Sequence, residues 1–153
     1  MIGRREFATA SLATAALAAI ETAGLALERK PGPGELAEPM FDKCARACSD
    51  CQRVCDSCAT YCAKIMAKGS EHHLETLDSC RDCATMCSAA AQIVARQGMA
   101  SDLVCRACEE ACARCAGRCE RHGDDPVMTR CAEECRRCES ACRDMLAHLP
   151  ERK

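Results

Sequence analysis

From residue 40 to residue 149, the positions that share one helix face recur at gaps of three and four. Large apolar residues usually hold such a face, because it packs against neighbouring helices. Here the face is mostly cysteine. The first run is Cys44, Cys48, Cys51, Cys55, Cys58 and Cys62, and the second is Cys80, Cys83 and Cys87. The third is Cys105, Cys108, Cys112, Cys115 and Cys119, and the fourth is Cys131, Cys135, Cys138 and Cys142. Within every run the gaps of three and four strictly alternate. The same register continues into ordinary core residues: Phe41 and Ile65, then Thr76, Ala90 and Val94, then Met128, Met145 and Leu149. The opposite faces are charged, as on helix 1 with Lys43, Arg46, Asp50, Arg53, Asp56 and Lys64.

This periodicity predicts four helices, at about Met40 to Lys68, Glu71 to Gln97, Asp102 to Arg121 and Pro126 to Leu149. Pro39 and Pro126 suit first turns. Ser70, Ser101 and Asp125 suit N-caps, and Gly69, Gly98 and Gly123 suit helix ends. Pro150 would stop the last helix. The turns are short, so consecutive helices run antiparallel. The expected fold is all-α, an antiparallel up-down-up-down four-helix bundle with a cysteine-lined core. The repeated C-x3-C-x2-C-x3-C spacing fits a closed bundle better than a solenoid, because a closed bundle buries all four seams.

The start of the chain reads differently. Gly3-Arg4-Arg5-Glu6-Phe7 resembles a twin-arginine export motif, and an Ala/Leu-rich run follows from Ala8 to Ile20. Small residues at Ala16 and Ala18, or Gly24 and Ala26, offer cleavage sites. Residues 1–26 are therefore expected to be a twin-arginine signal peptide, 27–39 a Pro/Gly-rich linker and 40–149 the bundle. The run is short for a membrane span, so no span is expected in the mature form. The expected location is periplasmic. The alternative is an uncleaved amphipathic helix on a cytoplasmic protein.

Composition narrows the chemistry. The net charge is −2 with both signs mixed, which leaves no basic face for nucleic acid. Aromatic residues are limited to Phe7, Phe41 and Tyr61, so the core cannot rest on them. No nucleophile constellation, paired carboxylates or phosphate loop is present, and an enzyme is not expected. Eighteen cysteines in 153 residues first suggest a disulfide scaffold. Geometry weakens that idea. Side chains one helical turn apart have Cβ atoms ~5–6 Å apart, whereas a disulfide needs ~3.5–4.5 Å. Thiols could also pack as small hydrophobes, but larger aliphatics would bury more area.

A metal store explains the row better. Thiolates select Cu(I), Zn(II) or iron–sulfur clusters. A structural zinc site needs four converging ligands rather than a continuous row, and the usual iron–sulfur spacings are missing. Cu(I) tolerates two sulfur ligands, and each cysteine can bridge to the next ion. Sharing of this kind gives up to about one Cu(I) per cysteine and leaves the core nearly neutral. The competing readings are a disulfide-stabilised helical interaction protein and a copper or zinc chaperone or sensor that binds one or two ions.

The C-x3-C-x2-C-x3-C-x2-C pattern from Cys44 to Cys58 and the related runs from Cys108 and from Cys131 to Cys142 resemble the bacterial copper storage proteins. The resemblance covers roughly residues 40–148. It implies a homotetramer of bundles that holds many Cu(I) ions. For members with a twin-arginine leader it implies an exported store that supplies a copper-acceptor enzyme.

The two ends of the predicted tube differ. One gathers Phe41, Ala90, Ile93, Val94, Leu103, Leu146 and Leu149 and reads as an apolar plug. The other gathers His73, His122 and Met128, with His72 nearby, and reads as the metal entrance. A rival set of possible ligands, Met40, Met99, Met145 and His148, falls at the plug end. Met66 and Met86 read as packing beside the seam.

Overall fold

A computed structural model describes residues 33–149. The readings of a signal peptide and of the first part of the linker lie outside those residues. Four helices dominate: α1, Pro33–Met66; α2, Leu74–Ala95; α3, Ser101–Cys119; and α4, Pro126–His148. Each packs against the next, and α4 closes onto α1. The start of α1 meets the end of α4 through Lys43 Nζ and Asp144 Oδ2, 3.3 Å apart. The end of α1 meets the start of α4 through Tyr61 and Asp125. This is the expected antiparallel bundle. Among the described residues, no helix is long and apolar enough to cross a membrane.

Several boundaries depart from expectation. Helix α1 begins at Pro33, so residues 33–39 are helical rather than linker. Pro33 lacks an N–H at a position where no partner exists, which suits a helix start. Pro39 then lies inside the helix, where it removes one backbone bond without ending the helix. Short 3-10 turns, Glu71–His73 and Glu120–His122, sit where single long helices were expected.

The expected caps divide. Asp125 Oδ1 accepts from the N–H groups of Val127, at 2.8 Å, and Met128, with Pro126 in the first turn behind it. Ser70 makes no capping bond. Ser101 is not a cap but the first residue of α3, and its hydroxyl donates to the Gly98 carbonyl at 2.6 Å. Gly69 has φ +96°, which favours glycine. After α2 the left-handed residue is Gln97, with φ +52°. Gly98 is needed there for space: an added Cβ would lie 3.0 Å from Ile93 Cγ2 and 3.1 Å from its carbonyl oxygen.

Small residues let the backbones approach beside the sulfurs. Ala45, Ala59, Ala84, Ala116, Ala132 and Ala141 are buried with the cysteines. Charged pairs line the outside. Arg143 Nε lies 2.9 Å from Glu109 Oε1, and Arg136 Nε 2.9 Å from Glu120 Oε1. Arg137 pairs with the buried Glu134. Exposed pairs of this kind add little stability, so the buried seam carries the fold.

Candidate metal centre

All eighteen cysteines are free thiols, and none is more than 2% exposed. The helical period sends every one of them inward, as the spacing predicted. Tertiary packing then brings them closer than one helix could. Cys51 and Cys55 lie 3.8 Å apart along α1. Contacts between helices are as short or shorter: Cys55 to Cys135 is 3.5 Å, Cys87 to Cys108 3.6 Å and Cys115 to Cys80 3.6 Å. Sulfurs even meet across the diagonal of the bundle, as Cys48 does with Cys108 and Cys87 with Cys138, both at 3.9 Å. The axis is a packed column of sulfur rather than an open tube. No pair approaches the ~2.05 Å of a disulfide bond.

The column is continuous. From Cys44 it passes to Cys142 at 3.9 Å, to Cys48 at 3.7 Å and to Cys138 at 3.7 Å. It continues to Cys87 at 3.9 Å, Cys112 at 3.6 Å and Cys51 at 3.9 Å. Cys55 leads on to Cys131 at 3.9 Å, and Cys131 to Cys80 at 4.0 Å. Cys58, Cys80, Cys119 and Cys131 form one group whose sulfurs all lie within 4.8 Å of one another. Cys58 in turn touches the Met128 thioether at 3.6 Å. The expected pairing of neighbours along one helix is therefore only part of the picture. Groups of four thiols drawn from three or four helices are the larger unit.

Electrostatics favours neutral thiols in this core when it is metal-free. Burial pushes the Cys62 thiol up to about 12. For Cys105, the Cys142 contact lowers the pKa, but Cys44 and burial outweigh it and the value again reaches about 12. Cys112 and Cys135 are raised first by the thiols around them, led by Cys108 and Cys115 respectively. Cys51 and Cys115 move down, because Cys112 and Cys119 lead their hydrogen-bonding neighbours. Many bare thiolates side by side would still repel strongly in so dry a core.

At one end, His73 meets His122, and Met128 meets Cys58. Each 3-10 turn ends in a histidine, and the two rings stack with centroids 4.4 Å apart at 21°. His122 Nε2 lies 3.2 Å from the Thr76 hydroxyl. Burial, then His73 and Arg121, hold the His122 pKa below its ordinary value, which keeps the imidazole neutral. His73 Nδ1 is buried with no hydrogen-bond partner. Met128 is fully buried against Cys58. Spacing did not reveal what positions this end. The Tyr61 hydroxyl donates to Asp125 Oδ2 at 2.6 Å, so the capping residue of α4 is also tied to α1. Burial opposes the Asp125 carboxylate, but Tyr61 and the two backbone N–H groups outweigh it and lower its pKa.

The other end is apolar, with one correction. Ala90 and Val94 are fully buried, and Phe41, Leu146 and Leu149 pack against the core. Leu103 instead points outward, 66% exposed, and Val104 packs in its place. The rival ligand set does not assemble. Met145 is buried, Met99 is 83% exposed, and His148 is exposed with Nδ1 2.7 Å from the Asp144 carbonyl oxygen. Met86, expected to pack, is exposed as well.

Comparisons with known proteins agree with this chemistry. The family model described as copper storage protein matches residues 37–147. A cytosolic copper storage protein from Streptomyces lividans, solved with five coppers, is 30% identical with a TM-score of 0.68; the match covers 75% of this chain and 98% of that one. The same organism's protein loaded with 10 copper equivalents is 29% identical with a TM-score of 0.69, covering 80% and 95%. The Cu(I)-bound copper storage protein BsCsp3 is 29% identical with a TM-score of 0.63, covering 70% and 98%. No curated protein sequence matches the chain.

Proposed function

The chain belongs to the copper storage protein family, and from that premise we propose how its core fills, where copper enters and where the protein works. Storage of multiple Cu(I) ions by core thiolates is its function. The observation that carries the proposal is the unbroken run of buried, unpaired thiols from Cys44 to Cys58. All eighteen cysteines serve as ligands, and sharing between ions allows up to about one Cu(I) per cysteine. Each thiol that binds gives up its proton, so uptake acidifies an unbuffered solution. The protein acts as a store rather than a catalyst.

Copper enters beside His73, His122 and Met128. Neutral imidazole and thioether are weak, exchangeable ligands for a soft ion. The unpartnered Nδ1 of His73 supports a ligand role there, and the Met128–Cys58 contact gives the first transfer step inward. Thereafter each ion is handed between sulfurs 3.5–4.0 Å apart.

The Arg4-Arg5 motif and the apolar run after it support export by the twin-arginine route, with residues 1–26 as the signal and the periplasm as destination. That route carries folded chains, so thiols buried before export would meet periplasmic oxidants already shielded. The alternative is a cytoplasmic store, as the Streptomyces relative is described. A homotetramer and a copper-acceptor partner complete the proposal.

The test is an anaerobic Cu(I) titration of fully reduced protein against a strong chelator. Binding of many equivalents, approaching one per thiol, is expected. Saturation at one or two equivalents would identify a chaperone or sensor instead.

A further inference from the structure

The spacing of the sulfurs suits more than the cargo ion. A linear two-coordinate ion holds its sulfurs two bond lengths apart. A tetrahedral Zn(II) ion with Zn–S bonds of about 2.3 Å sets its four sulfurs at edges of about 3.8 Å. Two cages that share no cysteine have four edges each between 3.6 and 3.9 Å, near the second figure, whereas the separate Cys58, Cys80, Cys119 and Cys131 group shows two such contacts, at 3.9 and 4.0 Å. The first is Cys48, Cys108, Cys138 and Cys142, with all sulfurs within 4.8 Å of one another. Four of its edges measure 3.9, 3.7, 3.7 and 3.8 Å, for Cys48 to Cys108, Cys142 and Cys138 and for Cys108 to Cys138. The second is Cys51, Cys83, Cys87 and Cys112, within the same limit. Its four known edges are 3.9 Å for Cys51–Cys112, 3.9 Å for Cys83–Cys87, 3.7 Å for Cys83–Cys112 and 3.6 Å for Cys87–Cys112.

From these edges, we propose that the copper-free core binds Zn(II) as two tetrathiolate sites, one in each cage. The inference rests on the reading of a reduced thiol core, and it adds a second metal and a different coordination to it. Each site forms by loss of four thiol protons and formation of four Zn–S bonds, with no electron transferred. Three helices contribute to each cage. The first draws on α1, α3 and twice on α4; the second draws on α1, twice on α2 and on α3. Zn(II) would thus clamp the bundle with few ions, in the manner of a structural site.

The charge balance sets its rank against copper. Four thiolates around one Zn(II) leave a net charge of −2 in a dry core, which is costly. Cu(I) with shared thiolates avoids that cost, and its preference for thiolate is stronger. Copper is therefore expected to displace zinc from both cages. Affinity for zinc should fall steeply with acidity, because each site must shed four protons.

Cobalt(II) serves as the coloured probe for Zn(II). Reduced, metal-free, full-length protein is titrated anaerobically with Co(II), then with Zn(II), and a Cu(I) titration is run in parallel. Expected are intense tetrahedral d–d bands with sulfur-to-cobalt charge transfer, saturating at about two equivalents and bleached by Zn(II). Cys142→Ser, in the first cage, and Cys87→Ser, in the second, should each remove about half of the charge-transfer absorption. Absence of charge transfer in the wild-type protein overturns the proposal without any variant. So do bands that neither substitution alters. Copper capacity that stays high while cobalt fails leaves storage standing, whereas loss of both strikes the reduced-thiol core itself.

Discussion

The two ends of the bundle are built from the same kind of helix terminus, yet they close the sulfur column differently. At the plug end, fully buried Val94 and Met145 share the core with Cys44, Cys105 and Cys142, and half-buried Phe41 and Leu146 pack against it. At the end proposed as the mouth, His73 stacks on His122 and the Met128 thioether lies against Cys58. At both ends the cysteines themselves are buried. Both ends carry a thioether, and the stacked imidazoles add ring nitrogens at one of them. The two buried methionines therefore sit in different company: Met128 touches the Cys58 thiol, and under the proposed entrance it would be ligand as well as packing, whereas Met145 would be packing alone.

That contrast can be broken most forcefully by truncating the two methionines in parallel. Met128 is 0% exposed and Met145 1%, so either change to alanine should cost about 2–5 kcal/mol in the apoprotein. Chemical denaturation measures this. Stopped-flow Cu(I) loading should then separate them, with uptake slowed by Met128→Ala alone. Equal slowing by both would place no entrance at the mouth.

A smaller effect is expected at Asp125. Replacing it with alanine removes the α4 cap and the Tyr61 acceptor together, for a loss of about 1–2 kcal/mol. Tyr61→Phe removes only one of these and should cost less than Asp125→Ala. If Tyr61→Phe proves as costly as Asp125→Ala, the tie between α1 and α4 matters more than the cap.

The smallest effect is one of pH. His122 is held below its ordinary 6.5 by burial and by His73 and Arg121. Its neutral form is favoured by folding, so its contribution is complete above about 6.5 and is lost as the pH falls through the folded value. Protonation also removes the ligand lone pair. Initial loading should slow between pH 7 and 5 by more than it does in a His73→Ala/His122→Ala variant. His148→Ala, at the plug end, should leave the profile unchanged.

Much of this was legible in the chain. The three-and-four period placed all eighteen cysteines, Val94, Met128 and Met145 on the buried face, because one helix has one stripe. The Asp125–Pro126 start of α4 was legible for a local reason, since cap and first turn are neighbours in sequence. Ser70 and Ser101 carry the same kind of signal, yet neither caps: Ser101 turned its hydroxyl to the Gly98 carbonyl. Leu103 and Val104 show a second limit. They are adjacent, and only the rotation of α3 against its neighbours decides which of them packs inward.

The sequence by itself determined that there would be four helices with sulfur along one face of each, because helical periodicity is a property of the backbone. It also determined that soft-metal chemistry would follow, because no other element of the chain competes with so many thiols. Only the tertiary structure decided which sulfurs meet. Cys48 with Cys138 and Cys55 with Cys135 are far apart in the chain and 3.7 and 3.5 Å apart in space. It also decided that His73 and His122 would stack and that Tyr61 would reach Asp125. Distances between helices depend on how their surfaces interlock, and that is settled by packing over the whole bundle rather than by spacing within one helix.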